Sequence, residues 1–288
     1  MKSKFSKYIE LTKPKIAALN VLVAIVTMVL AKPYEINLQP LLFLIISGFL
    51  SAGGAATINC YLEKDLDSKM IRTKKRTLPS GLINPSVAFI QGLLMLSASL
   101  IISWFLLNPL TSIFIGLGAF TYIGIYTIWL KKRTSWNIVI GGAAGSFAPL
   151  AGWSAVTNAV SLEPVLLAIL IFLWTPGHFW ALACTNKKDY SAANIPMMPV
   201  LVDWHKSTRY ILYSNIILVL FSLTFFITNI SGIIFMIISL FTGLYIIYKN
   251  IDLVKNPNES NAWSSFKASS PYLIFILVGL LLDKYLMY

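Results

Sequence analysis

The sequence predicts an all-α integral membrane protein built as a bundle of nine transmembrane helices. Of its 288 residues, 57% are hydrophobic and 12% are charged, and the mean hydropathy is +0.74. A soluble domain carries about 25% charged residues, so this composition excludes an ordinary soluble fold. Two further observations support the prediction. The chain contains nine apolar runs long enough to cross a bilayer, and its positive charge is concentrated in alternate loops.

The nine apolar runs account for almost the whole chain. About 20 apolar residues are needed to cross the hydrocarbon core of a membrane. Short connectors, such as the one at Asn108 and Pro109, require neighbouring helices to be antiparallel. No long linker separates the runs, so we expect residues 1–288 to form a single polytopic membrane domain. The predicted spans are residues 15–31, 40–62, 86–106, 110–130, 136–156, 164–184, 208–228, 231–248 and 269–286.

The positions of the Lys and Arg residues test this count of spans. If the N-terminus is cytoplasmic, all of the 23 Lys and Arg residues except Lys32 and Lys284 fall in the N-terminal tail, in cytoplasmic loops or at adjoining span ends. A wrong count would scramble this division, which follows the positive-inside rule. The net charge of +12 therefore indicates a face that meets anionic lipid headgroups, and it does not indicate nucleic-acid binding. The basic tail lacks a nearby small-residue cleavage site, so we expect it to be retained.

The segment that follows the second span combines acids with cations. On a continued helix Asn59, Glu63 and Asp67 lie within about 80° of one another, whereas Asp65 lies at about 240°. Acids beside a bilayer are costly unless they are paired or functional, and topology alone does not require them. Carboxylate and amide oxygens suit Mg²⁺, and arginines bind phosphate oxygens through paired hydrogen bonds. The pattern predicts a Mg²⁺–diphosphate site, with downstream cations Lys69, Arg72, Lys74, Lys75 and Arg76.

A second group of functional candidates lies at the end of the sixth span. Pro176 and Gly177 predict a kink there, and His178 follows directly. An imidazole among aromatic rings suits a planar macrocycle, either near an iron or as a donor to a propionate, but a hydrogen-bonded packing histidine is equally consistent. The candidate macrocycle contacts are His178, Trp174 and Trp180.

The charged loop after this span contains Lys187, Lys188 and Asp189. We expect Asp189 to form a second acidic wall that faces the first cluster across the bundle. The two lysines are expected to hold phosphate oxygens as point charges, although the positive-inside rule alone also explains each of them.

The first cluster resembles a motif of the UbiA superfamily of intramembrane prenyltransferases. Asn59-x-x-x-Glu63-x-x-x-Asp67 is similar to the N-x-x-x-D-x-x-x-D motif of that superfamily. Two positions depart from the pattern. Glu63 stands where many members have Asp, which lengthens the side chain by one methylene, and Thr77 follows Arg76 where the heme-modifying branch usually has proline.

Three longer strings resemble the heme O synthase branch of this superfamily, in the same order and covering nearly the whole chain from about residue 8. Quinone-type members carry a second D-x-x-x-D pair after the sixth span. Here Thr185 lies four residues before Asp189, so that pair is reduced to one acid, as in the heme branch. The strings are NCYLEKDLDSKMIRTKKRTLPSG, NIVIGGAAGSFAPLAGW and WTPGHFWALACTNKKDYSAANIPMMPV.

The resemblance implies a nine-helix bundle of UbiA type around a cavity that opens laterally to lipid. It implies transfer of the farnesyl group of farnesyl diphosphate to a vinyl group of heme b (protoheme IX), with addition of water, giving heme O for terminal oxidases. It also implies heme A synthase or oxidase assembly factors as partners. The implied ligands of Mg²⁺, with Mn²⁺ as a possible substitute, are Asn59, Glu63, Asp67 and Asp189. The implied diphosphate-binding residues are Arg72, Arg76, Lys187 and Lys188.

Two other functions remain open at this point. One is a UbiA-type prenyltransferase that acts on an aromatic quinone precursor, which the single acid at Asp189 and the His178 string disfavour. The other is a non-catalytic heme-binding or transport protein, for which ionisable groups near the membrane midplane would be expected and are almost absent. We expect the cell inner (plasma) membrane as location, with the N-terminus and the active-site loops cytoplasmic. The lack of a transit segment favours a bacterial membrane over that of an organelle.

Overall fold

A computed structural model describes residues 4–286, and within this range the chain forms helices without strands. Nine of the described helices are long and apolar enough to cross a membrane, which confirms the predicted multi-pass helical bundle. Lys2, one of the cations assigned to the basic tail, lies outside the described residues. The spanning helices are α1 Pro14–Ala31, α2 Leu38–Leu62, α3 Pro85–Leu106, α4 Pro109–Leu130, α5 Asn137–Thr157, α6 Leu162–Thr185, α7 Trp204–Ile227, α8 Ile233–Lys255 and α9 Glu259–Leu286.

Two helices extend well beyond the apolar spans predicted from the sequence. Helix α8 continues to Lys255, not to 248, and α9 begins at Glu259, not at 269. The added turns are polar in sequence, so hydropathy does not mark them as part of a span. They are helical because they pack on each other, and Ser265 Oγ donates a hydrogen bond to Asn250 Oδ1 at 2.7 Å. Tertiary contact, rather than local sequence, extends these helices.

The helices pack as two connected groups. In the first, α2 packs on α3, α3 on α4, α4 on α5, and α5 returns to α1, which also contacts α2. In the second, α6, α7, α8 and α9 pack in order and α9 returns to α6. Contacts of α5 with α6 and of α1 with α9 join the groups. The largest buried core surrounds α6, with side chains from α1, α7, α8 and α9.

The crossing of α2 and α3 depends on two glycines that face each other. A Cβ placed at Gly54 would lie 2.8 Å from the backbone oxygen of Gly92, and one placed at Gly92 would lie 2.7 Å from Ile58. Only a residue without a Cβ permits this approach. Close contact here orients the last turn of α2, which carries Asn59 and is followed directly by Glu63.

The loops at one end of the bundle contain most of the charged residues, and we call this the basic end. It is formed by residues 4–13, 63–84, 131–136, 186–203 and 256–258. At the opposite end, Tyr34 Oη donates to the backbone oxygen of Lys284 at 3.4 Å, next to the end of α1. Lys32 and Lys284, the two cations that the sequence assigns to the far side, therefore lie together there.

Asp283 anchors α8 at this opposite end. It is 1% exposed and accepts hydrogen bonds from three backbone N–H groups, those of Gly232 at 2.6 Å, Ile234 at 3.1 Å and Phe235 at 2.9 Å. Gly232 is the N-cap of α8, and Ile234 and Phe235 lie in its first turn, where backbone N–H groups have no intrahelical acceptor. One side chain of α9 therefore completes the start of its neighbour.

Candidate active site

The predicted oxygen cluster lies at the basic end, where α2 ends. The backbone N–H of Glu63 bonds to Asn59 O at 3.0 Å, and that of Asp67 bonds to Glu63 O at 2.8 Å, so the helical path continues into the short helix Lys64–Lys69. Asn59, Glu63 and Asp67 are 2%, 5% and 4% exposed, whereas Asp65 faces solvent. The geometry confirms that three of these four side chains share one buried face.

Each of the three buried side chains is held by a cation. Lys13 Nζ donates to Asn59 Oδ1 at 2.9 Å, and Lys131 Nζ donates to Glu63 Oε1 at 2.5 Å. Arg76 Nη1 forms the third contact, 3.0 Å from Asp67 Oδ2. Pairing of this kind compensates the cost of burying carboxylates. The oxygen cluster is therefore enclosed by three positive side chains that come from separate parts of the chain.

Two of these cations, Lys13 and Lys131, were not among the sequence-predicted site residues. Their partners lie 46 and 68 residues away along the chain, so no local motif links them. A weak signal is present, because each lysine stands at the boundary between a polar segment and a spanning helix. Lys13 also has a left-handed backbone, with φ of 47°, immediately before Pro14. That conformation is uncommon for a residue with a side chain and directs attention to the position.

The surroundings of both lysines raise their pKa above the ordinary value. Burial lowers the pKa of Lys131, but Tyr126 and the Glu63 carboxylate outweigh it, so the pKa lies above its usual value. Burial also lowers the pKa of Lys13, and the surroundings, chiefly Tyr122, raise it by more. An adjacent negative charge favours the protonated form of an amine.

The end of α4 supplies polar groups that the sequence did not reveal. Residues Thr121–Leu130 form a π-helix, a form that is rare and often marks functional sites. Thr127 Oγ1 accepts a hydrogen bond from Asn59 Nδ2 at 3.1 Å, and Lys13 Nζ lies 3.5 Å from Tyr122 Oη. The rings of Tyr122 and Tyr126 are stacked with centroids 6.0 Å apart. Nothing in the sequence of α4 indicates the altered helical path.

The second acidic segment meets the first through a loop. Asp189 is 8% exposed and lies in the short helix Lys187–Ala192. Its Oδ1 accepts from the backbone N–H of Ile71 at 3.0 Å and its Oδ2 from that of Arg72 at 2.9 Å. Asp189 is thus bonded to the loop that follows Asp67, and its role as a second acidic wall of the site stays a prediction.

The predicted diphosphate-binding cations differ in their surroundings. Arg76 is partly buried and contacts Asp67. The side chains of Arg72 and Lys188 are exposed. Lys187 Nζ donates to the backbone oxygen of Val202 at 3.1 Å, so it also fastens the 186–203 loop. Only Arg76 among these four is in direct contact with the oxygen cluster.

A small cavity lies beside the oxygen cluster. Its volume is about 170 Å³, and it opens between the start of α1 and the segment around residues 76–79. Three of the lining side chains, those of Lys13, Asp67 and Arg76, also belong to the cluster and its cations. The cavity therefore gives a ligand access to both the acidic and the basic groups. The lining residues are Glu10, Leu11, Lys13, Ile16, Cys60, Asp67, Arg76, Thr77, Leu78 and Pro79.

His178 lies in a compact aromatic cluster on α6. Its ring centroid is 4.1 Å from that of Trp174 and 4.4 Å from that of Phe266. Its Nδ1 lies 2.6 Å from Ser269 Oγ, and Trp174 Nε1 donates to Ser269 O at 2.8 Å. The imidazole ring therefore has a structural hydrogen bond to α9 through Nδ1. Its Nε2 has no hydrogen-bond partner within the described residues. The helix continues through Pro176 to Thr185.

The chain matches the model of the UbiA prenyltransferase family over residues 20–278. A protein of Sulfurisphaera tokodaii named protoheme IX farnesyltransferase is 44% identical over 285 residues, which cover 98% of this chain and 94% of that protein. One of the same name from Sulfolobus acidocaldarius is 40% identical, with 96% and 95% covered.

Solved structures share the fold. A digeranylgeranylglyceryl phosphate synthase superposes with a TM-score of 0.80 at 21% identity, covering 98% of both chains. A UbiA homolog from Archaeoglobus fulgidus bound to DMAPP and Mg²⁺ has a TM-score of 0.72 at 15% identity, covering 95% of this chain and 99% of that one. At these identities the likeness concerns the fold alone.

Proposed function

The chain belongs to the UbiA prenyltransferase family, and on that premise we propose that it is a Mg²⁺-dependent enzyme that transfers a farnesyl group from farnesyl diphosphate to a vinyl group of heme b. The observation that carries the proposal is the full-length similarity to protoheme IX farnesyltransferases, which spans all nine helices and both charged segments. In this reaction the allylic carbon–oxygen bond breaks and diphosphate leaves with the electron pair. The terminal vinyl carbon bonds to farnesyl, and water supplies a hydroxyl to the other vinyl carbon and loses a proton.

The oxygen cluster has the chemistry that Mg²⁺ requires. Two carboxylates and one amide oxygen are buried on one face, and Mg²⁺ prefers such oxygen ligands. Among residues 4–286 no three His, Cys, Asp or Glu side chains gather as a metal site by themselves, so the Asn59 amide and substrate oxygens have to complete the coordination. Asn59, Glu63 and Asp67 would hold the ion, which when bound neutralises charge on the leaving diphosphate. Asp189, which the sequence suggested as a fourth ligand, instead accepts backbone N–H groups with both of its carboxylate oxygens.

The cations around the cluster are suited to the diphosphate. Lys13, Arg76 and Lys131 each touch one of the three oxygen side chains, so all three are within reach of a phosphate group seated there. The exposed side chains of Arg72 and Lys188 are free to approach from the solvent side. Positive groups aimed at developing negative charge stabilise the transition state of bond cleavage.

We propose that heme b contacts the aromatic cluster of α6, through Trp174, His178 and Trp180, which lies apart from the small cavity beside the oxygen cluster. Trp180 Nε1 is buried and has no hydrogen-bond partner among the described residues. Buried donors without a partner are rare, and a heme propionate would satisfy this one. Apolar and aromatic walls also keep stray water from the farnesyl carbocation.

The membrane and the orientation are part of the same proposal. We place the protein in the cell inner membrane, with the basic end and the N-terminus in the cytoplasm, because positive charge is concentrated at that end. Heme A synthase or oxidase assembly factors are the proposed partners that receive the product.

The test is an assay of the purified protein in detergent with heme b, farnesyl diphosphate and Mg²⁺, followed by mass analysis of the extracted porphyrin. A heme heavier by one farnesyl group plus water, absent after metal chelation, is the expected product. Unmodified heme together with a prenylated aromatic acceptor would instead identify a quinone-type enzyme. If neither acceptor is modified while heme b still binds, the protein is a heme-binding protein and the proposal is wrong.

A further inference from the structure

We propose that Asp189 is a positioning residue that fixes the loop after Asp67, and that it is not a metal ligand. Both of its carboxylate oxygens accept backbone N–H groups, one from Ile71 and one from Arg72, at 3.0 and 2.9 Å. The residue is 8% exposed, so these bonds are largely shielded from water. Bonds from N–H groups to a buried carboxylate are among the stronger ones in proteins.

The loop needs this partner because its own turns leave the two N–H groups unpaired. The backbone N–H groups of Thr73 and Lys74 both bond to Met70 O, at 3.1 and 2.9 Å. Those of Ile71 and Arg72 have no acceptor within the described residues except Asp189. A buried carboxylate from another part of the chain therefore completes the turn.

The fixed segment carries two of the arginines assigned to the diphosphate. Arg72 is itself one of the bonded residues, and Arg76 N bonds to Thr73 O at 2.9 Å one turn later. Thr73 Oγ1 donates to Asp67 O at 2.8 Å, which ties the turn to the oxygen cluster. Asp189 thus fixes the backbone of the segment that carries both arginines, of which Arg76 contacts Asp67.

This arrangement separates Asp189 from the other acids. Glu63 and Asp67 each direct one oxygen to a cationic side chain, which is a contact that a metal can replace. Both oxygens of Asp189 accept backbone N–H groups, and these bonds can break only if the turn opens. Loss of the Asp189 carboxylate should therefore release the loop that carries the arginines, while Asn59, Glu63 and Asp67 stay in place.

The test compares Asp189→Ala and Asp189→Asn with the full-length wild-type protein. The matched control is Asp203→Asn, because Asp203 also accepts a backbone N–H, from Lys206 at 2.7 Å, but is exposed and outside the site. Three quantities are measured: hydrogen exchange of the peptide covering residues 70–76, binding of Mn²⁺ alone, and the steady-state constants for farnesyl diphosphate. The kinetic arm rests on the proposed function, and the other two do not.

We expect exchange in residues 70–76 to be about tenfold faster or more in Asp189→Ala, with α2 and α6 unchanged. The effect should be smaller in Asp189→Asn, because an amide keeps one acceptor oxygen. The Kd for Mn²⁺ should stay within about threefold of wild type. The kcat/KM for farnesyl diphosphate should fall about tenfold or more, because the displaced arginines stabilise the leaving diphosphate. Asp203→Asn should alter none of these.

Two results would overturn the inference. One is unchanged exchange in residues 70–76, and the other is Mn²⁺ binding weakened about tenfold or more, as loss of a ligand predicts. If Asp189→Ala does not fold, the same readings on Asp189→Asn decide the matter. A wild-type protein that leaves heme unmodified would refute the proposed function, but the exchange and Mn²⁺ measurements would still test the role of Asp189.

Discussion

Replacing Lys131 with methionine should expose the function of the buried pair that it forms with Glu63. The two side chains are 13% and 6% exposed, and Lys131 Nζ lies 2.5 Å from Glu63 Oε1. Removing one partner of a buried pair leaves an uncompensated charge, which costs about 3–5 kcal/mol. For a chain of this length that corresponds to a fall of roughly 6–10 °C in Tm.

The same variant tests whether Glu63 is a metal ligand. If Mg²⁺ binds Glu63, it can replace the missing positive charge, so Mg²⁺ should raise the Tm of Lys131→Met by more than it raises that of wild type. The double variant Glu63→Gln, Lys131→Met should recover most of the lost stability, because a neutral pair needs no compensation. It should nevertheless remain inactive.

The assay is thermal unfolding in detergent at several Mg²⁺ concentrations, with farnesyl transfer measured in parallel. Lys132→Met is the matched control, because Lys132 is adjacent and exposed, and its Tm should stay near that of wild type. The reasoning fails if Lys131→Met unfolds like the control. It also fails if Mg²⁺ stabilises the variant and wild type equally, since Glu63 would then not contact the ion.

Three further predictions concern the oxygen cluster and the scaffold. Asp67→Asn should lower turnover by about 100-fold or more, while binding of heme b, followed by its absorbance, persists. The control Asp65→Asn, on the exposed side, should be active. Equal activity of the two variants would count against the site. Asp283→Ala leaves three N–H groups at the start of α8 without their acceptor, so the Tm should fall by several degrees. Farnesyl transfer at low temperature should continue. An unchanged Tm would contradict the capping role. Burial lowers the pKa of Lys131, but Tyr126 and Glu63 raise it above the ordinary value. Its stabilisation is therefore complete below the ordinary lysine pKa and lost only as the pH rises through the higher folded value, so the Tm gap to Lys131→Met should be constant from about pH 7 to about pH 9.

Local sequence was sufficient to predict the spanning helices and the oxygen cluster. Hydropathy marks each span because a helix that crosses the bilayer satisfies its backbone hydrogen bonds internally and presents apolar side chains to lipid. Asn59, Glu63 and Asp67 follow one helical path, so the shared face of their side chains could be calculated from their spacing without knowing any other part of the fold. The exposed position of Asp65 follows from the same periodicity.

Contacts between helices could not be predicted in this way. Lys13 and Lys131 reach the cluster only because α1, α2 and α4 meet at the basic end, and the partner atoms lie 46 and 68 residues away in the chain. The π-helix that carries Tyr122 and Thr127 has no signature in its residue types. The added turns of α8 and α9 are likewise stabilised by each other, not by their own apolar residues.

Asp189 shows most clearly which properties the sequence determines and which depend on tertiary structure. Its charge and its place after α6 are visible in the sequence and direct attention to it as a ligand. Its partners are two backbone N–H groups 118 and 117 residues away, which become available only when the loop has folded into its turns. Sequence patterns report which groups are present and on which helical face they lie, whereas tertiary packing selects the partner that each group binds. Partner choice depends on distances between segments that only the folded bundle brings together.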